Sequence, residues 1–420
     1  MITKAFAATI AGAAVLALTP MPLAAKSVGM KSGSYNGLSW QAQSMIIGQT
    51  PTSDILPPTN SIGGGDSLYF PSANKSGTVA LIMDYGGGNL FICSGSLLND
   101  RRSIATAGHC VSDGAGTANP LTTTAYFYDG DPNVRTPFGP GVAIDVSRYY
   151  VNPLYTGEVI DQNDIAVLRL SSLAPVTAQS YGLYLGGLTG VDFNVAGYGT
   201  RSTVGGAEGN TPPAGARTGW LREGDNMYDY AWGDAAFGGF FNGFFGSADV
   251  TYSYVSDFDN GLAAQDQACN IGSAVAGFSF GCDLGRGARE VGIAGGDSGG
   301  PGFVNGKLAS INSYGLTFGP AWGDYGGGLN SGWGEFSGYV PVYIHEDWIK
   351  GVVPEPASWA MMISGFGMVG GAQRLAARRR RSGFVPAQFL RHFSNPVGPE
   401  PSRVPARAAF DKQARNVPGN

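Results

Sequence analysis

From residue 61 to about 350 the chain alternates short apolar, β-branched runs with clusters of Gly, Asn, Asp and Pro. Thr78-Val79-Ala80-Leu81-Ile82-Met83 ends before Gly86-Gly87-Gly88, and residues 164–170 form an apolar run after Asp161-Gln162-Asn163. Such spacing predicts an antiparallel all-β architecture, either a sandwich or a pair of barrels. Ile344, Trp348 and Ile349 recur at helical spacing and predict a short amphipathic helix over 343–350 that closes the domain. Residues 205–261 follow neither period, and their glycines and aromatics (Phe237, Phe240, Phe241, Phe244, Phe245) read as a large surface insertion or a packed loop cluster.

The two ends carry a different pattern. Lys4 precedes an apolar run over 5–18 and the small-residue site Leu23-Ala24-Ala25, the layout of a cleavable export signal spanning 1–25. The run is shorter than the ~20 apolar residues of a membrane span and is followed by Pro20 and Pro22. Residues 26–61 are polar, contain Pro51, Pro57 and Pro58, and read as a pro-segment or linker, with the folded domain over 62–350. Beyond it, Val353-Pro354-Glu355-Pro356 introduces a second apolar run over 357–373, followed by Arg374 and four arginines at 378–381. That run is short for a transmembrane helix, so transient membrane association is expected of the segment 351–381. Residues 382–420 read as a basic disordered tail.

Composition narrows the class. With 420 residues, 43% hydrophobic and 14% charged, the chain can bury a sizeable core. Its 67 glycines lack a three-residue period, which excludes collagen and favours turn-rich β structure. The net charge of -5 conceals a basic C-terminus: residues 374–420 carry ten Lys/Arg against two Asp/Glu, leaving -13 on the rest. An acidic body argues against nucleic acid as the main partner. Cys93, Cys110, Cys269 and Cys282 fall into two close pairs, separated by 17 and 13 residues, that suit short disulfide loops. The export signal supplies the oxidising compartment such bridges require.

Hydrolysis of an amide by serine needs a nucleophile, a base, a carboxylate to hold the base, and donors for the oxyanion. Of three histidines, His109 ends an apolar run and sits in Thr106-Ala107-Gly108-His109-Cys110; His345 and His392 lie on the terminal helix and in the tail. Gly296-Asp297-Ser298-Gly299-Gly300-Pro301 sets a serine in a glycine-rich turn, where the N–H groups of Gly296 and Ser298 can converge on an oxyanion.

Together with Cys93-Ser94-Gly95-Ser96-Leu97-Leu98, Asp164-Ile165-Ala166-Val167-Leu168, Gly197-Tyr198-Gly199-Thr200 and Ser313-Tyr314-Gly315, these motifs resemble the trypsin/chymotrypsin family over residues 62–350. The resemblance implies two antiparallel six-stranded β-barrels, chymotrypsin-like, with a short C-terminal helix. It implies a secreted serine endopeptidase in which Ser298 attacks, His109 moves the proton and a buried Asp164 fixes the imidazole, with the Gly296 and Ser298 amides as oxyanion hole. It also implies Cys93–Cys110 and Cys269–Cys282 bridges, and substrate binding along Ser313, Tyr314 and Gly315. Counting six back from the serine gives Gly292 in the specificity pocket, where an aspartate would select Lys or Arg, although Asp283 and Glu290 are close in sequence. The family's cysteine just before the hexapeptide is replaced around Ala294, so one pocket disulfide is missing. Ile62-Gly63-Gly64 resembles the family's new N-terminus, whose ammonium would pair with Asp297 after cleavage before Ile62.

The C-terminal segment resembles the Pro-Glu-Pro (PEP-CTERM) sorting signal of Gram-negative bacteria. That implies the Sec export machinery and a sorting enzyme as partners, and a place in the cell envelope or outside the cell. Two other readings stand beside the protease: a serine esterase, which needs a later histidine such as His345, and a catalytically silent surface or matrix-binding module. Neither a metal nor an organic cofactor is expected.

Overall fold

The computed structural model describes residues 24–25, 29–35, 37–44, 46–54, 65–114, 118–128 and 141–353. The 1–23 part of the export signal, Ile62, the 357–373 run and the basic tail lie outside them. After a two-residue strand at Ala24–Ala25, paired parallel with Phe91 and Ile92, comes a hairpin of β1 (Lys31–Tyr35) and β2 (Leu38–Gln43). Six strands follow: β3 (Thr78–Asp84), β4 (Leu90–Leu97), β5 (Ser103–Thr106), β6 (Thr122–Phe127), β7 (Val142–Val151) and β8 (Ala166–Leu170). They pair in the order β4-β3-β6-β7-β8-β5, and β5 returns to β4 through Ser96 opposite Ala105, closing a six-stranded barrel. The β3–β4 hairpin turns at Gly86-Gly87-Gly88, all three at positive φ that only glycine adopts without strain. Val79, Leu81, Ile92, Ile104, Ala125, Val167 and Leu168 fill the interior.

The second sheet is built from β9 (Val191–Gly197), β10 (Arg222–Tyr228), β11 (Tyr254–Asp257), β12 (Pro301–Val304), β13 (Lys307–Thr317) and β14 (Phe336–Pro341). Its order, β10-β9-β12-β13-β14-β11, has no ladder joining β10 to β11. Two full barrels were expected; the molecule has one closed barrel and a half-barrel. At the seam the ladder is cut to two residues just past the end of β10, where Tyr230 faces Val255 and Ala231 faces Tyr254; beside it Asp229 N–H donates to Val255 O (2.9 Å) and Asn226 Nδ2 to Asp257 O (2.8 Å). Acidic side chains fill this edge, and Asp229 Oδ2 takes the Asp257 N–H that a neighbouring strand would otherwise accept.

Three further features depart from expectation. The 205–261 stretch is no surface insertion: it contributes β10 and β11, and Phe237, Phe241, Phe244 and Phe245 are buried with Trp232, Phe318 and Phe336. Rings bury enough area to build a core without a regular period. Residues 31–54, expected outside the core, are partly built into it, with Leu38, Trp40 and Ala42 buried and Ser39 and Gln41 exposed, the alternation of a half-buried strand. Finally, α1 (Gln267–Ala276) lies between Asp266, whose side chain caps the Cys269 N–H, and Gly277 at φ 78°. The closing helix, α2 (Glu346–Val352), follows a 3-10 turn over Val342–His345 and buries Ile349 against the first barrel's core. Among the described residues no helix is long and apolar enough to cross a membrane.

Candidate active site

β5 and the loop before β8 bring His109 and Asp164 together. The strand ends at Thr106, and a 3-10 turn over Gly108–Cys110 holds His109 almost wholly buried. The turn is pinned by the Cys93–Cys110 disulfide to β4. Asp164 sits in the turn Asp161-Gln162-Asn163-Asp164, its N–H bonded to Asp161 O. Its Oδ1 accepts the His109 backbone N–H (2.7 Å) and its Oδ2 lies 2.7 Å from His109 Nδ1. A carboxylate so bonded orients the ring and leaves Nε2 as the free base.

A third partner reaches the same carboxylate from the other sheet. In the β13–β14 ladder Asn312 faces Tyr339 and Tyr314 faces Gly338, so Ser313 is the extra residue of a bulge. The bulge turns its Oγ to Asp164 Oδ2, 2.6 Å away, so the Ser313 side chain completes a His109–Asp164–Ser313 network. Tyr314 is buried, with its hydroxyl bonded to Trp232 Nε1 (2.9 Å) and Ser253 Oγ (2.7 Å).

Ser298 lies in the turn that leads into β12. Asp297 N–H bonds to Ala294 O and Gly300 N–H to Asp297 O, while the Ser298 carbonyl accepts from Ser94 N–H (2.8 Å) on β4. Close packing explains the glycine after it: a Cβ on Gly299 would lie 2.0 Å from Thr106 Oγ1 and 2.4 Å from Ser94 O. Gly296 has φ 99° and its carbonyl accepts from Ser94 Oγ (3.0 Å). Among the described residues no protein group accepts from the Gly296 or Ser298 N–H, the pair expected to bind an oxyanion. Ser298 Oγ is buried and makes no hydrogen bond among the described residues, so it and His109 Nε2 are not yet bonded. Catalytic contacts of this kind often tighten only with substrate.

Asp297 is buried, accepts the Gly199 and Ala294 N–H groups, and faces no cation among the described residues. Burial pushes its carboxyl up to about 8. Gly292 stands opposite Ile47 in a two-strand pairing, and Phe258 is the side chain nearest its Cα face. Glu290, two residues before it in sequence, accepts the Asp259 N–H (2.7 Å) and the Arg286 N–H. His345, the base an esterase would require, is engaged at both nitrogens, by Asn152 Nδ2 (3.1 Å) and Gln162 O (2.8 Å). The Cys269–Cys282 disulfide joins α1 to the loop after it.

Sequence reasoning missed one group. Asp257, Asp259 and Asp266 each bring a carboxylate oxygen within 4.8 Å of the others, the one all-carboxylate set among the described residues with the spacing to hold a metal ion. Burial, then the Asp257 charge, pushes Asp259 up to about 12, and burial pushes Glu290 up to about 8 and Asp266 up to about 6. The only sequence signal was their spacing of two and seven residues ahead of a helix cap.

The trypsin family model matches residues 71–212. That stretch covers the closed barrel with His109 and Asp164 and stops short of Ser298. The PEP-CTERM protein-sorting motif matches residues 352–381, which indicates export and sorting in a Gram-negative bacterium. Both resemblances read from the sequence are therefore found. The chain is also similar to the inactive CLIP domain-containing serine protease A3 of Aedes aegypti, 31% identical over 150 residues. The match covers 31% of this chain and 31% of that relative's length.

Proposed function

We propose that this chain is an exported serine endopeptidase. The observation that carries the reading is the network joining the two sheets: Asp164 holds His109 Nδ1 and receives Ser313 Oγ from the strand beside the Ser298 turn. Ser298 Oγ adds to the scissile carbonyl while its proton passes to His109 Nε2. The oxyanion is taken by the Gly296 and Ser298 amides. His109 then protonates the leaving amine, and water resolves the acyl-enzyme by the reverse sequence. Ser313, Tyr314 and Gly315 offer backbone to an extended substrate strand. Gly292, beside Phe258, suits an apolar side chain better than Lys or Arg. Processing at the PEP-CTERM segment by a sorting enzyme would follow Sec export.

A second reading has its own support. Ser298 Oγ is unpartnered and the Aedes aegypti relative is described as inactive, both of which fit a catalytically silent surface module. A fluorophosphonate probe decides between them. Covalent labelling of the full chain that disappears in Ser298→Ala supports the hydrolase, and cleavage of a peptide library by the same preparation makes it a peptidase. A folded chain that never labels favours the silent module.

A further inference from the structure

Two residues expected to bind substrate, Gly315 and Gly292, are already paired with the chain itself. The far end of β13 pairs antiparallel with β2: Gly315 faces Gln43, Leu316 faces Ala42 and Thr317 faces Gln41. Four residues on from Gln43, Ile47 faces Gly292 and Gly48 faces Val291. Thus Gln43 meets the expected recognition strand and Ile47 the expected specificity-pocket position. Ser44, Ile46 and Ile47 are buried.

The segment is also fastened from outside. Trp40 packs edge-on against Phe245 (5.3 Å between centroids), and Tyr35 packs against Phe240 and Phe244 (6.0 and 5.4 Å). Lys31 forms an ion pair with Glu158, in the loop that leads to Asp164. Leu38, Trp40 and Ala42 share one buried cluster with Val159, Ile160, Trp232, Tyr314 and Leu316. Ser298 and His109 are 0% and 1% exposed.

We propose that residues 38–44 and 46–48 act as an intramolecular substrate mimic, led by an extended strand over 38–43 with apolar residues at alternate positions, that holds the recognition edge of β13 closed to other peptides until it is displaced. This rests on the protease reading above, because β13 matters as a recognition strand only in that role. It also names the substrate class the site accepts: extended segments that present bulky apolar side chains at alternate positions to the Phe237–Phe245 wall.

The test compares the full chain with Trp40→Ala, which loosens the hairpin, and with Lys31→Glu, which repels Glu158 at a partly exposed position where folding is not at risk. Each is scored for the rate of Ser298-dependent fluorophosphonate labelling and for cleavage of an extended peptide. Opening the cover is expected to raise both rates about tenfold or more in Trp40→Ala and two- to threefold in Lys31→Glu. Adding a synthetic peptide of residues 31–48 should reverse the gain. If all three chains label and cleave at one rate, the cover is wrong and the protease stands. If none labels while folded, the protease reading falls and this inference falls with it.

Discussion

The closed barrel and the half-barrel reach their stability by different means. In the first, six strands close a ring around an apolar interior, with Ala24 and Ala25 adding a short parallel pairing to Phe91 and Ile92 on β4. In the second, β10 and β11 meet through a two-residue pairing just past β10, single bonds and buried acids, and the far end of β13 is paired with a hairpin from the N-terminal part of the chain. The difference teaches where chemistry is accommodated. His109 and Asp164 hang from the rigid ring, whereas Ser298, Ser313 and Gly315 belong to the sheet that retains an edge, and an edge is what an extended peptide needs.

The largest expected effect tests the joining of the two halves. Ser298→Ala and Asp164→Asn, one from each side, should each lower kcat by about ten-thousand-fold with folding intact, as judged by circular dichroism and steady-state peptide cleavage. Near-normal turnover in either folded variant would separate the halves and end the catalytic reading.

Next is the contrast in packing. Leu168→Ala, in the ring's interior, should cost about 3 kcal/mol in denaturant-induced unfolding. Trp40→Ala should shift the main transition by less than about 1 kcal/mol, because the hairpin can open below the global transition. Equal losses would show that the hairpin folds as one unit with the barrels.

The buried acids of the half-barrel predict a pH response. Glu290 is held neutral in the fold, its carboxyl pushed up to about 8 from the ordinary 4.5 by burial, so the folded chain binds a proton that the unfolded chain has released. Stability from this group is full below about pH 4.5 and declines as pH rises towards 8. Asp266, pushed up to about 6, acts in the same direction. A Tm about 5 °C lower at pH 8 than at pH 5 is expected, with Glu290→Gln flattening that slope. A Tm that rises over this range would overturn the assignment.

The smallest effect concerns Ser313, a positioning residue. Ser313→Ala should lower kcat about tenfold and leave KM within twofold, and Ser313→Thr should restore part of the loss. A change in KM alone would mean that Ser313 serves substrate binding and not Asp164.

What could be read from the sequence was local. The β3 and β8 runs with their bounding turns, the His109 and Ser298 motifs, and the paired cysteines each carry their meaning within a few residues, and α2 follows from helical spacing over 343–350. Even the missed α1 was marked by Asp266 and Gly277 at its two ends, and the missed β2 by the alternation of Leu38, Trp40 and Ala42.

Only the tertiary structure decided the rest, because each of these features depends on residues far apart in the chain. Whether the second sheet closes turns on the meeting of β10 with β11, and the burial of the aromatic stretch turns on Phe318 and Phe336 arriving from β13 and β14. The Ser313–Asp164 bond spans 149 residues and the pairing of Gln43 with Gly315 spans still more. A strand's own pattern shows which face it buries, but the identity of the strand beside it is set by chain topology, and that choice alone put the N-terminal segment on the edge of β13.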